Sequence, residues 1–551
     1  MNTKKSDSVK KSIVLSGLIG TAGLFIAKML GLFYSIPLSN ILGSDAYMSY
    51  YGTAYRIYSY ILNVFTAGFP FAIATIVAKY SVREDARALR KIKQISLLIL
   101  GFTGFIGMIL MFLLSWVLGG VIADKAGAPV MRTCLQLLSM AIFFVPILSC
   151  YRGFWQGRKE MGEYALSQVF EQIFRVGFLL SAAYLIVYVL KWDTKYALYV
   201  AVMSTSIAAI AGILQIVHFD KKNYVEIEEA AKVQKTRTVK KKKLFRELLA
   251  LAIPYFLVAV LGYCDDIFNS VMLPLGVKLH GYSSKEVDII ISAFNYVGTK
   301  MTAIPMILSP GFAAALIPHI TSARTEGDIE KVKKNVVDCV NIIFYVGLPV
   351  SFCIFLYASD IYHTLFFTQD PSLASNCLRW LALEGFLATI TPVVTNLLMA
   401  LGLKKDALKN LLINVLVKGI TMIPLIWAFG YAGAVLSTIP GNIYIVLASF
   451  KAMNENYDVT FKTILKVFAQ SLAGMVAMLA VCYGLRFVGL SGTEGSKLVC
   501  LLKMCVNGMA VVITYAAVTS ALHTPEYVFH TSLIAVVKNK LHRNKKEEVI
   551  E

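Results

Sequence analysis

Long apolar stretches alternate with short polar ones from one end of the chain to the other. Each apolar stretch reaches about 20 residues or more, the length a helix needs to cross the hydrocarbon core of a bilayer. About fourteen stretches can be marked: 12–38, 47–78, 92–122, 130–151, 163–190, 195–217, 246–274, 286–322, 332–357, 372–402, 406–428, 432–451, 462–488 and 497–522. The expected fold is all-α, a polytopic membrane protein of about 14 transmembrane helices, because a lone apolar segment can satisfy its backbone in lipid only as a helix.

The polar stretches alternate in charge. Lys4, Lys5, Lys10 and Lys11 precede the first span, and Lys79, Arg83, Arg87, Arg90, Lys91 and Lys93 follow the second. Arg152, Arg158 and Lys159 follow the fourth, and the pattern continues through 221–246, 324–334, 403–409, 451–466 and the tail. The loops between, such as 39–46 and 358–371, are poor in Lys and Arg and hold Asp45, Asp360 and Asp370. The positive-inside rule then puts the basic loops and both termini in the cytoplasm of a multi-pass plasma-membrane protein. The basic start runs into apolar sequence as far as Pro37, which reads as an uncleaved first helix and not a signal peptide.

Two halves are visible. TAGFPFAIATIVAKY at 66–80 is echoed by SPGFAAALIPHITSA at 309–323. The segment KKNYVEIEEAAKVQKTRTVKKKKLFRE (221–247) is the one long charged linker, and its charge suits either a solvated loop or an anionic leaflet. The expected organisation is an N-terminal lobe of helices 1–6 (1–220), a basic cytoplasmic linker (221–245) and a C-terminal lobe of helices 7–12 (246–455). Helices 13 and 14 (456–522) are an added pair, followed by a basic cytoplasmic tail (523–551). Six spans per half is an even number, so the repeat is parallel, and such halves can rock about a central site.

Composition agrees with this picture: 57% of residues are hydrophobic, and the mean hydropathy is +0.66. The net charge of +20 is explained by loop placement, so no nucleic-acid partner is expected. Nine cysteines without a CxxC or a Cys/His cluster read as small core residues. GTEGSK at 492–497 has the wrong spacing for a P-loop, and no HExxH, metal-ligand spacing or nucleophile elbow occurs. No metal, no cofactor and no enzyme activity is expected.

Several spans carry charge inside them. A cation near mid-bilayer costs roughly 2.5–3.5 kcal/mol on insertion scales, so it belongs in a bundle interior or a wet cavity. Lys28 and Ser35 share a face of the first span, and Arg56 and Asn63 share a stripe on the second. Gln168, Glu171, Gln172 and Arg175 form a polar face on the fifth, and Asn410, Asn414 and Lys418 form its counterpart on the eleventh. Lys300 on the eighth corresponds to Arg56. Arg56 and Lys28 have no acid on their own helices, which calls for an acid from elsewhere, water or a bound anion. Glu171 and Arg175 either neutralise each other at i, i+4 or face a cavity. Lys300 and Lys418 either line a cavity or snorkel. Asp265, Asp266 and Glu384 are possible counterions or coupling groups, with Asp265 or Asp266 alternatively near the outer end of span 7.

AKMLGLFYSIPLSNILG (27–43), TAGFPFAIATIVAKY (66–80) and YRGFWQGRKEMGEYALSQVFEQIFRV (151–176) carry a family resemblance. On these stretches the chain resembles the polysaccharide/oligosaccharide flippase branch of the MOP exporter superfamily, near the stage V sporulation protein B group and the lipid II flippases. The resemblance implies a MATE/MurJ-like bundle with a cationic central cavity, accepting the diphosphate of an undecaprenyl-linked saccharide. Related sequences often have Arg where this chain has Ser35, so the cation is relocated to span 2. The expected substrate-binding residues are Lys28, Arg56, Arg175, Lys300 and Lys418, with Ser35, Asn63, Gln168, Glu171, Gln172 and Asn414 as polar lining. The expected partners are a lipid-linked oligosaccharide, the phospholipid bilayer and enzymes of cell-wall or polysaccharide synthesis. The rival expectations are a cation or drug antiporter of the MATE type and a non-transporting scaffold or transferase of lipid-linked sugar metabolism.

Overall fold

Helix begins where the polar loops end, and short acidic residues start several of the helices. The structure, a computed structural model, describes residues 26–530 apart from 28, 67, 236–238, 306–319, 322 and 325. Among the described residues 12 helices are long and apolar enough to cross a membrane. The remaining two expected spans, 12–38 and 286–322, lie partly outside the described residues, as does most of the 309–323 echo.

The helices are α1 (Ser35–Leu42), α2 (Asp45–Thr66), α3 (Phe69–Val82), α4 (Ala86–Ile122), α5 (Ala128–Gly157), α6 (Met161–Tyr184) and α7 (Thr194–Asn223). Then come α8 (Val225–Val233), α9 (Lys241–Gly262), α10 (Cys264–Ile267), α11 (Leu273–His280), α12 (Ser284–Ser292), α13 (Ile329–Leu356) and α14 (Ala358–Thr364). The last are α15 (Pro371–Ala400), α16 (Lys404–Phe429), α17 (Tyr431–Tyr457), α18 (Lys462–Phe487), α19 (Lys497–Ala521) and α20 (Thr524–Phe529). The Asp85 carboxylate accepts from the amide of Ala88 at 2.9 Å and starts α4. Asp370 accepts from Leu373 at 3.0 Å, with Pro371 at the first helical position of α15.

Contacts divide the chain into two compact units, Met1–Lys278 with Ser283–Tyr296, and Leu279–Tyr282 with Val297–Glu551. In the first unit α5 is central, packed along α4, α7, α3 and α2. Its basic end holds a buried polar knot. Lys93 donates to both carboxylate oxygens of Asp220 at 2.7 and 2.6 Å, and its ammonium lies 3.4 Å from the centre of the Tyr224 ring. The indole N–H of Trp155 donates to the same carboxylate at 3.0 Å. Lys93, expected in a cytoplasmic loop, is therefore an interior residue, because α4 starts a turn earlier than its apolar run suggests.

The charged linker is also more ordered than expected. Residues 225–233 form α8, whose Ile227 and Ala231 enter the same hydrophobic core as Ile76, Ile92, Phe154 and Leu248. Arg87 donates to the Ala231 carbonyl at 2.9 Å, and Gln234 donates to Asp85 at 2.9 Å. The sequence V-E-I-E-E-A-A-K-V alternates apolar and charged positions at helical spacing, so one face packs while the other stays wet.

In the second unit α13 packs against α15 and α18, α16 against α17, and α18 against α19. The last long helix, α19, is tied in by buried hydrogen bonds: Tyr357 Oη donates to Asn507 Oδ1 at 2.7 Å and Tyr515 Oη to the Tyr345 carbonyl at 2.9 Å. Arg486 pairs with Asp360, which also accepts from the amide of Gly492 at 2.8 Å. All nine cysteines are free thiols, and Cys505 is the exposed one.

Two segments of the first unit depart from α geometry where they meet α2. Residues Phe268–Met272 form a π turn between α10 and α11, and Ala293–Gly298 form another after α12. Such wide turns concentrate at functional sites. Gly52 of α2 makes the close approach possible: a Cβ there would stand 2.5 Å from the Asn295 carbonyl oxygen and 2.6 Å from its carbon. Gly52→Ala is expected to push the π turn off α2 and lower the unfolding temperature in detergent. An unchanged melting curve would show that the contact yields without cost.

Candidate substrate site

Arg56 sits one turn beyond Gly52 on α2, and its acid comes from elsewhere in the chain. Arg56 Nη1 donates to Asp266 Oδ1 at 3.1 Å and lies 3.9 Å from Asp265 Oδ2. Its Nη2 reaches the Phe294 carbonyl at 3.4 Å, while Nε is buried without a hydrogen-bond partner. Both acids stand where span 7 is interrupted, between the end of α9 and the π turn. Asn269 donates to Asp265 at 2.9 Å and so orients that carboxylate. Asn295 donates to Thr53 Oγ1 at 2.9 Å and to the Asn269 carbonyl at 3.3 Å, fastening the two π turns to each other and to α2. Of the alternatives open for Arg56, the acid from elsewhere is the one found: its partners are the carboxylates of span 7.

The excess positive charge lies on α5 and α6. Glu171 accepts from Arg175 at 2.6 Å and from Arg152 at 2.9 Å. Arg152 further donates to the Ser167 hydroxyl at 3.1 Å and the Ser167 carbonyl at 2.9 Å. Two guanidiniums on one carboxylate leave one net positive charge in the protein interior. The Arg175 Nε and the Gln172 Oε1 are buried without partners. The i, i+4 pair of Glu171 and Arg175 forms, and Arg152 keeps it from being neutral. Arg152 was placed in a loop because the apolar run ends at Tyr151. In fact α5 continues to Gly157, a continuation that Phe154 and Trp155 signal.

A wall of tyrosines adjoins Arg175. The hydroxyls of Tyr34 and Tyr51 lie 3.0 Å apart, the Tyr51 and Tyr55 rings are 4.5 Å apart, and Tyr55 bonds to Thr205. Tyr296 donates to the Ser35 carbonyl at 2.6 Å. Ser35 is fully buried, with its own hydroxyl turned to the Leu32 carbonyl at 2.5 Å, so it packs the bundle instead of lining a cavity. Asn63 donates to Ser59 at 2.8 Å along its own helix, and Gln168 is half-buried beside Tyr164. Lys28 lies outside the described residues.

In the second unit Lys418 is 3% exposed, which removes the snorkelling alternative for it. Asn410 donates to Ser449 at 3.4 Å, and the Asn414 Oδ1 is buried without a partner where α16 meets α17 at Gly441. Lys300 and Glu384 are half-buried and engaged. The chain around each meets the other's: a Cβ on Gly385 would touch the Thr302 methyl at 3.4 Å.

Apolar helices of spanning length, with charged side chains turned into the units, define a polytopic α-helical membrane protein. A family model described as polysaccharide biosynthesis protein matches residues 13–324, more than half of the chain. The chain belongs to that family. It is 29% identical over 463 residues to the lipid II flippase MurJ of Bacillus subtilis (strain 168), covering 81% of this chain and 83% of that one. It is 22% identical over 474 residues to the stage V sporulation protein B of the same organism, covering 85% and 88%. A solved structure of lipid II flippase MurJ in an inward closed conformation superposes with a TM-score of 0.64 at 16% identity, covering 92% of this chain and 99% of that one, and it shares the fold.

Proposed function

We propose that the protein flips an undecaprenyl-diphosphate-linked saccharide, a lipid II or polysaccharide repeat unit, from the inner to the outer leaflet by alternating access. The observation that carries this reading is the net positive Arg152–Glu171–Arg175 cluster, buried in the first unit with donor capacity left over at Arg175. A diphosphate is the complementary ligand, since a guanidinium offers a planar fork to phosphate oxygens. Lys28, Lys300 and Lys418 add positive charge along the route, and Arg56 joins when its carboxylates release it. The basic loops and both termini face the cytoplasm, where the substrate is made and where enzymes of cell-wall or polysaccharide synthesis deliver it. With the cytoplasm negative, each negative charge moved outward gains roughly 2.3 kcal/mol per 100 mV. A headgroup carrying about two charges is therefore driven in the required direction.

Arg175→Gln tests the reading with little damage to the fold, because Arg152 continues to hold Glu171. The expected result, in proteoliposomes with a fluorescent lipid-linked saccharide, is slower translocation by roughly 10- to 150-fold. That is the worth of one charge-assisted hydrogen bond, about 1.5–3 kcal/mol. Unchanged translocation would remove the cluster from the substrate path. A cation or drug antiporter would call for an acid on the first span, where this chain has Lys28, and dye-efflux assays on the same vesicles separate the two activities.

A further inference from the structure

At the Lys-rich end of the second unit, α13, α18 and α20 surround an open cavity of about 380 Å³. It uses none of the residues assigned to the transported substrate. One face of α13 supplies Lys333, Lys334, Asp338 and Asn341 at helical spacing, and Thr463 and His530 close the other sides.

Three observations show what the cavity lacks. Asn341 is fully buried, yet neither its amide oxygen nor its amide nitrogen has a hydrogen-bond partner. A buried donor left without an acceptor is costly, so a ligand that accepts from the Asn341 amide nitrogen is favoured. The 26-residue helix α18 begins without a side-chain cap, so the amides of its first turn are orphan donors at the positive end of the helix. The acids of the wall have hydrogen-bond partners: Glu330 shares Lys333 with Asp458, at 3.0 and 3.1 Å, Asp338 meets His530 at 3.1 Å, and Glu526 meets His523 at 3.1 Å. Lys334 makes no ion pair among the described residues. The unfilled donors are the first amides of α18, the Lys334 ammonium and the Asn341 amide N–H, and a compact group with several acceptor oxygens complements them.

We propose that this cavity binds a phosphate group, borne by an anionic lipid headgroup or by a soluble phosphate compound, and that filling it fastens α18 and α20 to α13. Helix N-termini with a nearby ammonium are the usual seat of such a group. The phosphate takes the first amides of α18, the Lys334 ammonium and the Asn341 amide N–H.

The test is thermal unfolding of the full chain in nanodiscs. Inorganic pyrophosphate is titrated in neutral phosphatidylcholine, and separately phosphatidic acid replaces part of that lipid. Each series is repeated with Lys334→Glu, Asn341→Leu and Arg175→Gln. Asn341→Leu substitutes an apolar side chain for an orphaned amide and is expected to fold. The expected result is a saturable rise in unfolding temperature that persists in Arg175→Gln and weakens at least tenfold in midpoint in the other two variants. A shift with pyrophosphate assigns the soluble source, and a shift with phosphatidic acid alone assigns the headgroup. Either outcome supports the proposal. A shift lost in Arg175→Gln but kept in Lys334→Glu and Asn341→Leu, or no saturable shift with either probe, overturns it. Arg175→Gln translocation is scored independently, so failure here leaves the flippase reading standing.

Discussion

Arg56→Ala is expected to abolish translocation and to destabilise the first unit together. Asp266 and Asp265 would lose the cation that sits 3.1 and 3.9 Å away, and losing a charge-assisted hydrogen bond at this half-buried pair costs about 1.5–3 kcal/mol. The two effects can be separated. In Arg56→Ala/Asp266→Asn one of the two carboxylate charges is gone, so the amount of folded protein in the membrane should recover while translocation does not. Full translocation by the double variant would make Arg56 a structural counterion of span 7 and nothing more. The geometry gives a reason to expect otherwise. The guanidinium keeps an unpartnered Nε, and its acids sit on the four-residue helix α10, between the end of α9 and the π turn, where the span is interrupted.

The second large effect lies at the basic end of the same unit. Asp220→Ala would leave the Lys93 ammonium enclosed by aromatic rings and the Trp155 N–H without its acceptor. The expected loss of stability is about 3–5 kcal/mol, read by tryptophan fluorescence during thermal unfolding in detergent. Lys93→Met/Asp220→Leu removes both charges and is expected to recover much of that loss. If Asp220→Ala unfolds at the parental temperature, water must already reach Lys93, and the knot is not a closed interior.

The spans were legible because one-dimensional hydropathy decides them. The expected 462–488 and 497–522 became Lys462–Phe487 and Lys497–Ala521. What escaped is three-dimensional. The partner of Arg56 is 210 positions away, and no periodicity within α2 can point to it. Arg152 and Lys93 were misplaced because a charged residue at the end of an apolar run looks like the start of a loop, although a helix continues until its backbone pairing stops. Charge also masked the Ile227/Ala231 stripe of α8, which a search for helical spacing would have caught. The π turns of 268–272 and 293–298 have no sequence signal, and the fit of the second against α2 at Gly52 is a contact between distant parts of the chain.

The thiol inventory has a practical outcome. Of nine native cysteines, six are buried and two half-buried, and Cys505 lies on an apolar helix face suited to lipid. A water-borne maleimide should therefore find almost nothing to label in the parental chain. Single cysteines introduced at loops such as 458–461 or 491–496 would then report their sidedness without first stripping the natural ones. The membrane orientation of every loop can be read in intact cells from the native background.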